Sequence, residues 1–317
     1  MWRVHAALRA LTVMLKGRVA LVTGGASGMG RAMALALAGA GADIALGSLL
    51  HGGAKAEGEI SNLPDRHELD KACAEVEALG VQCLAAELDV SSDESCEVFC
   101  RQVIERFGQV DMLAHAAGIT AEETMVDHPD PAWHRVIDVN LNGTYRMVRR
   151  ILPGMIEQGW GRIVLIASTA ASVGAVTSGA YCASKAGVVG LMRCVALEGA
   201  QHGVTCNSIS PTWVNTPFGR EWMGDIARNQ EGREGEQYIA DAEAANDIVS
   251  NTDFDEGGNP VDPSQQSSPR YGGADASTAV SGVTSVGGVT NASSVVGDHF
   301  DERPAEGGLA RAHRAEE

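Results

Sequence analysis

The strongest constraint on this chain's fold is an alternation, from Arg18 to Ser210, of short apolar runs with segments of helical period. The runs RVALVT, ADIALGS, VQCLAAEL, DMLAHAAG, RIVLIAS and VTCNSIS are bounded by glycine or turn residues and read as buried strands. Helices are expected between them over 31–39, 65–79, 92–107, 131–158 and 181–202. The second carries Leu69, Cys73, Val76 and Leu79 on one face and stops at Gly80, a natural left-handed terminator. Ser92 is placed to cap the third, because its hydroxyl can accept an orphan N–H of the first turn. Pro153-Gly154 is expected to loosen the long fourth helix. Six strands joined by right-handed helical crossovers make an α/β fold, a doubly wound parallel sheet with helices on both faces.

This pattern covers 15–220 and then stops. Residues 221–317 hold nineteen Asp/Glu against six Arg and no Lys, so most of the formal net charge of −17 lies there, and no Leu occurs between Leu197 and Leu309. Such a segment buries too little apolar surface to offset its ordering entropy and reads as a disordered, acidic, low-complexity tail. The acidity, without any basic stripe, argues against nucleic-acid binding. The absence of eighteen consecutive apolar residues argues against a membrane span. Seven cysteines without a CxxC pair or metal-like spacing read as reduced, mostly buried thiols of a cytoplasmic protein, with no metal site. Residues 1–14 read as a leader or as an overlong start, with initiation at Met14 the favoured reading.

The chemistry begins at TGGASGMG, Thr23 to Gly30, which leaves the first strand and opens the first helix. Gly24 permits the turn, Gly28 lets backbone N–H groups approach a pyrophosphate with Ser27 and Met29 beside it, and Gly30 lets helix and strand pack. The helix N-terminus attracts the phosphates. Asp89 and Val90 end the third strand, where parallel sheets bind ligands. The loop over 48–64 is long for a strand-to-helix connection and is expected to form a lip over the adenosine end.

A second constellation lies further on. Tyr181 and Lys185 are one helical turn apart, so the ammonium can stabilise a phenolate and let Tyr181 exchange a proton with an alcohol or carbonyl oxygen. Ser168 ends the strand RIVLIAS, thirteen residues before Tyr181, and can polarise a carbonyl. Asn140 is an unusual helix-interior residue that a water-holding role would explain.

In this order, TGGASGMG, DVN, Ser168, YCASK and SISPTWVNT resemble the motifs of the short-chain dehydrogenase/reductase family, over 15–218. The resemblance implies a Rossmann-type NAD(P)-dependent oxidoreductase that interconverts a secondary alcohol and a ketone or aldehyde. Tyr181 would be the acid/base, Lys185 would bind the nicotinamide ribose, Ser168 would position the substrate and Asn140 would hold a relay water. The cofactor would meet Asp89 and Val90 at the adenine, Ala116, Ala117 and Gly118 along its length, and Pro211, Val214 and Thr216 near the nicotinamide. Family members usually form homodimers or homotetramers around a small-molecule site.

Three departures stand out. The family's Asn-Asn-Ala-Gly is His115-Ala116-Ala117-Gly118 here, which predicts weaker local bonding; His115 itself reads as strand-end packing. Pro-Gly becomes Pro211-Thr212, adding a side chain. The family's substrate lid, further helix and last strand have no recognisable counterpart in the tail, which points to a reading-frame change near 218–222 or to a genuine extension. A protein without them would be a catalytically impaired nucleotide-binding or interaction protein, and that is the alternative reading. The second strand ends in Gly47, Ser48 and Leu49, without the acid that selects NAD or the base that selects NADP; His51 and Lys55 could reach a phosphate, so the balance tips only slightly toward NAD.

Overall fold

The computed structural model describes residues 14–52, 59–230, 232, 234–244, 248–249 and 290–291. In chain order the principal elements are β1 (Val19–Thr23), α1 (Gly28–Gly39), β2 (Asp43–Ser48), β3 (Glu59–Ile60), α2 (Arg66–Glu77), β4 (Cys83–Glu87), α3 (Asp93–Phe107), β5 (Met112–His115) and β6 (Thr120–Ala121). There follow α4 (Asp130–Ile137), a π-helical segment (Asp138–Asn142), α5 (Gly143–Glu157), β7 (Gly161–Ile166), a 3-10 turn (Thr169–Ala171), α6 (Gly179–Ala200), β8 (Val204–Ile209), β9 (Trp213–Val214), α7 (Pro217–Gln230), α8 (Gly235–Ala244), β10 (Ile248–Val249) and β11 (Thr290–Asn291).

Six parallel strands form the main sheet in the order β8-β7-β5-β1-β2-β4, with β11 lying antiparallel on β8. The chain therefore winds outward from β1 in both directions, and the order reverses between β1 and β5, where Thr23 is the register partner of His115. The two faces of β1 show why a near-continuous apolar run was needed. Val19 and Leu21 belong to one core cluster with Phe99, Met147, Ile163 and Leu165, while Ala20 and Val22 belong to the other with Ile44, Leu46 and Leu69. Alternate side chains point to opposite faces, and both faces are covered by helices.

Local signals hold well. Ser92 Oγ accepts the N–H of Ser95, and Gly108 closes α3 with φ +83°. Asp65 and Glu68 form a reciprocal capping box on α2. The 22-residue helix α6 has the length and mean hydropathy of a bilayer-crossing segment, yet it is a core helix whose Val188, Met192 and Val195 are buried within the domain.

Four expectations need correction. The long helix is interrupted at Asp138–Asn142 rather than at Pro153, which sits inside α5 between the buried Ile151 and Met155. Packing on both sides of Pro153 holds the helix despite the missing N–H, whereas the π-segment contains Asn140, whose amide makes the tertiary bonds described below. The folded part also continues beyond 220. In α7 and α8, Met223 and Ile239 are buried and pack with Trp213 and Tyr238, so methionine, isoleucine and aromatic rings supply the apolar contacts that leucine would. Of the seven free cysteines only Cys96, Cys100 and Cys206 are buried, because the others lie on helix and strand flanks. A chain without the family's last strand would leave the β8 edge unpaired, yet the two residues of β11 cover part of it, opposite Ser208 and Asn207. The remainder of the tail, and the leader apart from Met14, lie outside the described residues.

At the edge of the sheet opposite the strand C-termini, the fully buried Asp111 carboxylate accepts from Arg18 Nη1 (2.7 Å), Val19 N (2.8 Å) and Gln109 Nε2 (2.7 Å). Arg18 in turn stacks on Trp160 at 3.9 Å. Replacing Asp111 with Ala strands the Val19 N–H and frees the guanidinium, and is expected to lower unfolding free energy by about 2–3 kcal/mol, read as a shift of the urea midpoint.

Candidate active site

A cleft opens where β1 and β5 part, at the carboxyl ends of the strands, the place where doubly wound sheets bind ligands. Its floor is the glycine loop. Gly24 adopts φ +64°, and a Cβ there would come within 3.1 Å of Ala117 N; a Cβ on Gly30 would collide with the Gly24 carbonyl. Side chains at either position would push the loop off β5 or α1 off β1. The loop is tied down from two sides. Thr23 Oγ1 accepts from Ala116 N and Ala117 N, both at 3.2 Å, and Ser48 Oγ accepts from Ala26 N at 3.0 Å. Ser27 precedes α1 without making a side-chain cap bond, which leaves the first-turn N–H groups of α1 available to an anion.

At one end of the cleft stand Ser48, Leu49, Leu88, Asp89 and Val90. Asp89 Oδ1 accepts from Ser91 N (2.9 Å) and Ser91 Oγ (2.6 Å), while Arg135 Nη1 donates to Ser91 Oγ (2.6 Å) and its Nε pairs with Glu59 at 3.2 Å. The Glu59 side chain is only 1% exposed, so this is an interior ion pair. Residues 59–64 form the expected lip: β3 pairs antiparallel with β6, and Asn62 Nδ2 donates to Ser27 Oγ at 3.2 Å, so the segment crosses the cleft from β6 to the glycine loop.

At the other end α6 presents Tyr181 and Lys185, both buried. Lys185 Nζ donates to the Ile166 carbonyl at 2.8 Å and lies 5.6 Å from the Tyr181 ring centroid. Burial without a paired carboxylate pushes the Lys185 ammonium down to about 8. The Asn140 amide is committed on both sides: Oδ1 accepts from Ile119 N, and Nδ2 donates to the Ile119 carbonyl and to Ser184 Oγ, each at 2.9 Å. Ser184 Oγ donates to the Tyr181 carbonyl at 2.7 Å. Asn140 Oδ1 and Lys185 Nζ would lie 3.3 and 3.4 Å from a Cβ on Gly118, so a side chain there would crowd both groups.

The cleft thus brings together Gly24, Ser27, Gly28, Met29, Gly30, Asp89, Val90, Ala116, Ala117, Gly118, Tyr181, Lys185 and Thr216. Pro211, Val214, Ser168 and Asn140 are not among its lining residues. Asn140 sits behind the wall, Ser168 Oγ accepts from Ala170 N (3.1 Å) at the start of the 3-10 turn, and the Pro211 carbonyl accepts from Thr169 N (3.0 Å). Thr216 Oγ1 accepts from Gly219 N (3.0 Å) and so caps α7 as well as facing Gly28.

The weaker local bonding expected at His115 shows on one side of the ring, where the buried Nε2 has no hydrogen-bond partner among the described residues. His115 is 2% exposed and its Nδ1 lies 3.0 Å from Thr23 Oγ1, which already accepts two N–H groups and therefore gives its own proton to the ring. Burial, with the Lys185 charge as a second cause, lowers the imidazole to about 3, so it is neutral. Sequence reasoning missed Glu59, Arg135, Asn62, Phe218 and Trp222. A lone charged or aromatic residue carries no periodic signal, and only the fold brings these five to the cleft and its neighbourhood.

Residues 18–226 match the family model described as short chain dehydrogenase. The D-beta-hydroxybutyrate dehydrogenase of Rhizobium meliloti (strain 1021) is 37% identical over 223 residues, covering 70% of this chain and 81% of that protein. Among solved structures, carveol dehydrogenase from Mycobacterium avium in complex with NAD is 27% identical with a TM-score of 0.67, covering 74% of this chain and 85% of that one. An actinorhodin polyketide ketoreductase variant with NADPH is 30% identical with a TM-score of 0.64, covering 78% and 86%. The family match runs to 226, beyond the 218–222 at which a break was expected, and the relatives favour a working enzyme over an impaired one.

The Lys185 shift has a signed consequence. A lysine depressed to about 8 in the folded state and unperturbed when unfolded costs stability at every pH below 8, and that cost disappears as pH rises from 8 to the ordinary lysine range near 10.5. Lys185→Met is therefore expected to gain stability relative to the parent at pH 7, with the advantage shrinking between pH 8 and 10.5, measured as paired urea midpoints.

Proposed function

Since the chain belongs to the short-chain dehydrogenase family and is an oxidoreductase of small-molecule alcohols or ketones with a nicotinamide cofactor, we propose that it is an NAD-dependent secondary alcohol dehydrogenase with Tyr181 as its acid/base. The observation that carries this reading is the buried Lys185 ammonium beside Tyr181, at the far end of a cleft that starts on the glycine loop.

The residues of the cleft fit a dinucleotide: small backbone-only approaches at Gly24 and Gly118, free first-turn N–H groups on α1, and a continuous wall from Asp89 to Lys185. When bound, the nicotinamide supplies the hydride acceptor or donor. Tyr181 takes the hydroxyl proton of the alcohol in oxidation and returns it to the carbonyl oxygen in reduction. Lys185, held at the Ile166 carbonyl, keeps a positive charge next to the phenolate. Ser168 already accepts from Ala170 N, so its own O–H remains to donate to a substrate oxygen. Asn140 acts as a positioning residue: through Ser184 it fixes the first turns of α6, and with them Tyr181 and Lys185.

NAD is preferred to NADP on charge. Ser48, at the end of β2, is spent on Ala26 N, and the adenosine end carries two carboxylates, Glu59 and Asp89, against one guanidinium, Arg135, which is already paired with Glu59. A 2′-phosphate would meet net negative charge there. His51 is exposed and does not line the cleft, and Lys55 lies outside the described residues. NAD⁺ is expected to bind at least about tenfold tighter than NADP⁺ by calorimetry, a difference of about 1.4 kcal/mol; equal affinities would remove the charge argument.

For the chemistry, Tyr181→Phe is expected to lower kcat by about a hundredfold or more on a panel of secondary alcohols, while NAD⁺ affinity stays within a factor of about two. Turnover at parental rates by that variant would sink the acid/base assignment.

A further inference from the structure

The helix that presents Tyr181 and Lys185 starts from a strained turn. Thr177 adopts φ +64° and is the only non-glycine residue with positive φ among the described residues. A β-branched side chain is strained there, and such a conformation persists only where its surroundings over-determine it. One carboxylate does much of this. Glu122 Oε2 accepts from Thr177 Oγ1 and from Ser178 Oγ, each at 2.7 Å, and Oε1 accepts from Thr120 Oγ1 at 3.0 Å. Glu123 N adds a backbone tie to the Thr177 carbonyl at 2.9 Å. Three hydroxyls, and no cation among the described residues, thus meet a half-buried carboxylate.

Ser178 is the residue on which α6 begins. It is 2% exposed, and its carbonyl accepts the N–H of Cys182 in the first turn. A serine in this place ordinarily caps the helix with its hydroxyl. Here the side chain makes no capping bond and turns to Glu122 instead. The helix start gives up its cap and gains a charge-assisted bond to a fixed point outside the helix. Tyr181 lies three residues further on, so the placement of this turn decides where the phenol stands.

The second hold on α6 comes from the same stretch of chain. Asn140 bonds both backbone groups of Ile119 and reaches Ser184, whose hydroxyl donates to the Tyr181 carbonyl. Residues 119–123 therefore grip α6 at Ser178 and at Ser184, on either side of Tyr181. We propose that Glu122 is a positioning residue for Tyr181. Acting through Ser178 and the strained Thr177, it sets the first turn of α6 so that the Tyr181 hydroxyl meets the reacting oxygen. Glu122 does not itself line the cleft. The role rests on the dehydrogenase reading above, and the test separates the two.

The full chain is assayed with NAD⁺ on isopropanol, cyclohexanol and menthol. Glu122→Ala is expected to lower kcat by about tenfold to a hundredfold, the cost of a small misplacement at a reacting group, while NAD⁺ affinity stays within a factor of about two. Glu122→Gln, which keeps the side-chain length and one acceptor oxygen, restores kcat to within a factor of about three. A residue that served stability alone would change the melting temperature and leave kcat at the parental value. Ser178→Ala lowers kcat in the same direction and adds little to Glu122→Ala in the double variant, because the two changes remove one shared bond. Hydrogen exchange reads the cause without a substrate: backbone amides over 179–185 exchange about tenfold faster in Glu122→Ala, while those of α1 and α3 keep their rates.

Parental kcat in Glu122→Ala overturns the proposal, as does unchanged exchange over 179–185 or a loss of NAD⁺ affinity as large as the loss of kcat. If Glu122→Ala does not fold, Ser178→Ala decides by the same readings. Failure of the parent chain to bind NAD⁺ or to oxidise any of the three alcohols would instead overturn the dehydrogenase reading, and the exchange measurement would still show whether Glu122 holds α6.

Discussion

The distance between the first strand and its neighbours governs the whole site. β1 ends at Thr23 with β2 on one side and β5 on the other, and the chain must leave the sheet, turn and enter α1 without obstructing the space the diverging strands create. That is possible because the Gly24 carbonyl can lie against Gly30 and the Gly24 Cα against Ala116 and Ala117. The Thr23 hydroxyl then bonds both alanine N–H groups and the His115 ring, so the ends of β1 and β5 are joined by side chain where the backbone ladder runs out. The family's Asn at His115 is replaced by a residue that still accepts this bond when neutral, and burial keeps it neutral. The substitution changes the partner chemistry without opening the loop.

Electrostatics at the two ends of the cleft follow opposite rules. At the end formed by Glu59, Asp89 and Arg135 opposite charges are paired, Arg135 with Glu59, so the interior ion pair is compensated and leaves Asp89 as the surplus. At the reacting end Lys185 has a carbonyl and a phenol for company but no carboxylate, and it carries the desolvation cost in its depressed titration. A protein selected only for stability would put methionine there. On the proposed acid/base reading of Tyr181, the uncompensated ammonium is a charge reserved for a negative oxygen that exists only during proton transfer, which is the condition for stabilising a reactive state more than the resting one.

How much of this was legible in the sequence depends on the range of the interaction. The six strands, the Ser92 cap and the glycine loop are local or periodic, and each could be read from its own few residues. Tyr181 and Lys185 share a helical face by spacing alone. Asn140 could be picked out as odd in a helix, but its actual work was invisible: within the π-segment at Asp138–Asn142 the Asn140 amide bonds Ile119 and Ser184, residues 21 and 44 positions away. Pro153 looked like the better breaker because proline's effect is local, and packing of Ile151 and Met155 overrides it. Glu59 and Arg135, 76 positions apart, meet only because β3 pairs with β6. Residues 221–244 were misjudged by counting leucines, a composition test that gives aromatic and methionine contacts too little weight.

That misjudged segment bears on what a lid requires. A helix that covers an active site must bury enough surface to close yet separate from it at each turnover, so it is drawn from the less stable end of the structure. α7 and α8 meet this with few large contacts rather than a continuous leucine seam: Met223 and Ile239 join them, and Thr216 caps the start of α7 while its methyl faces Gly28 on the glycine loop. Thr216 therefore belongs both to the lining of the cleft and to the first turn of α7, so the start of that helix is tied to the floor of the site.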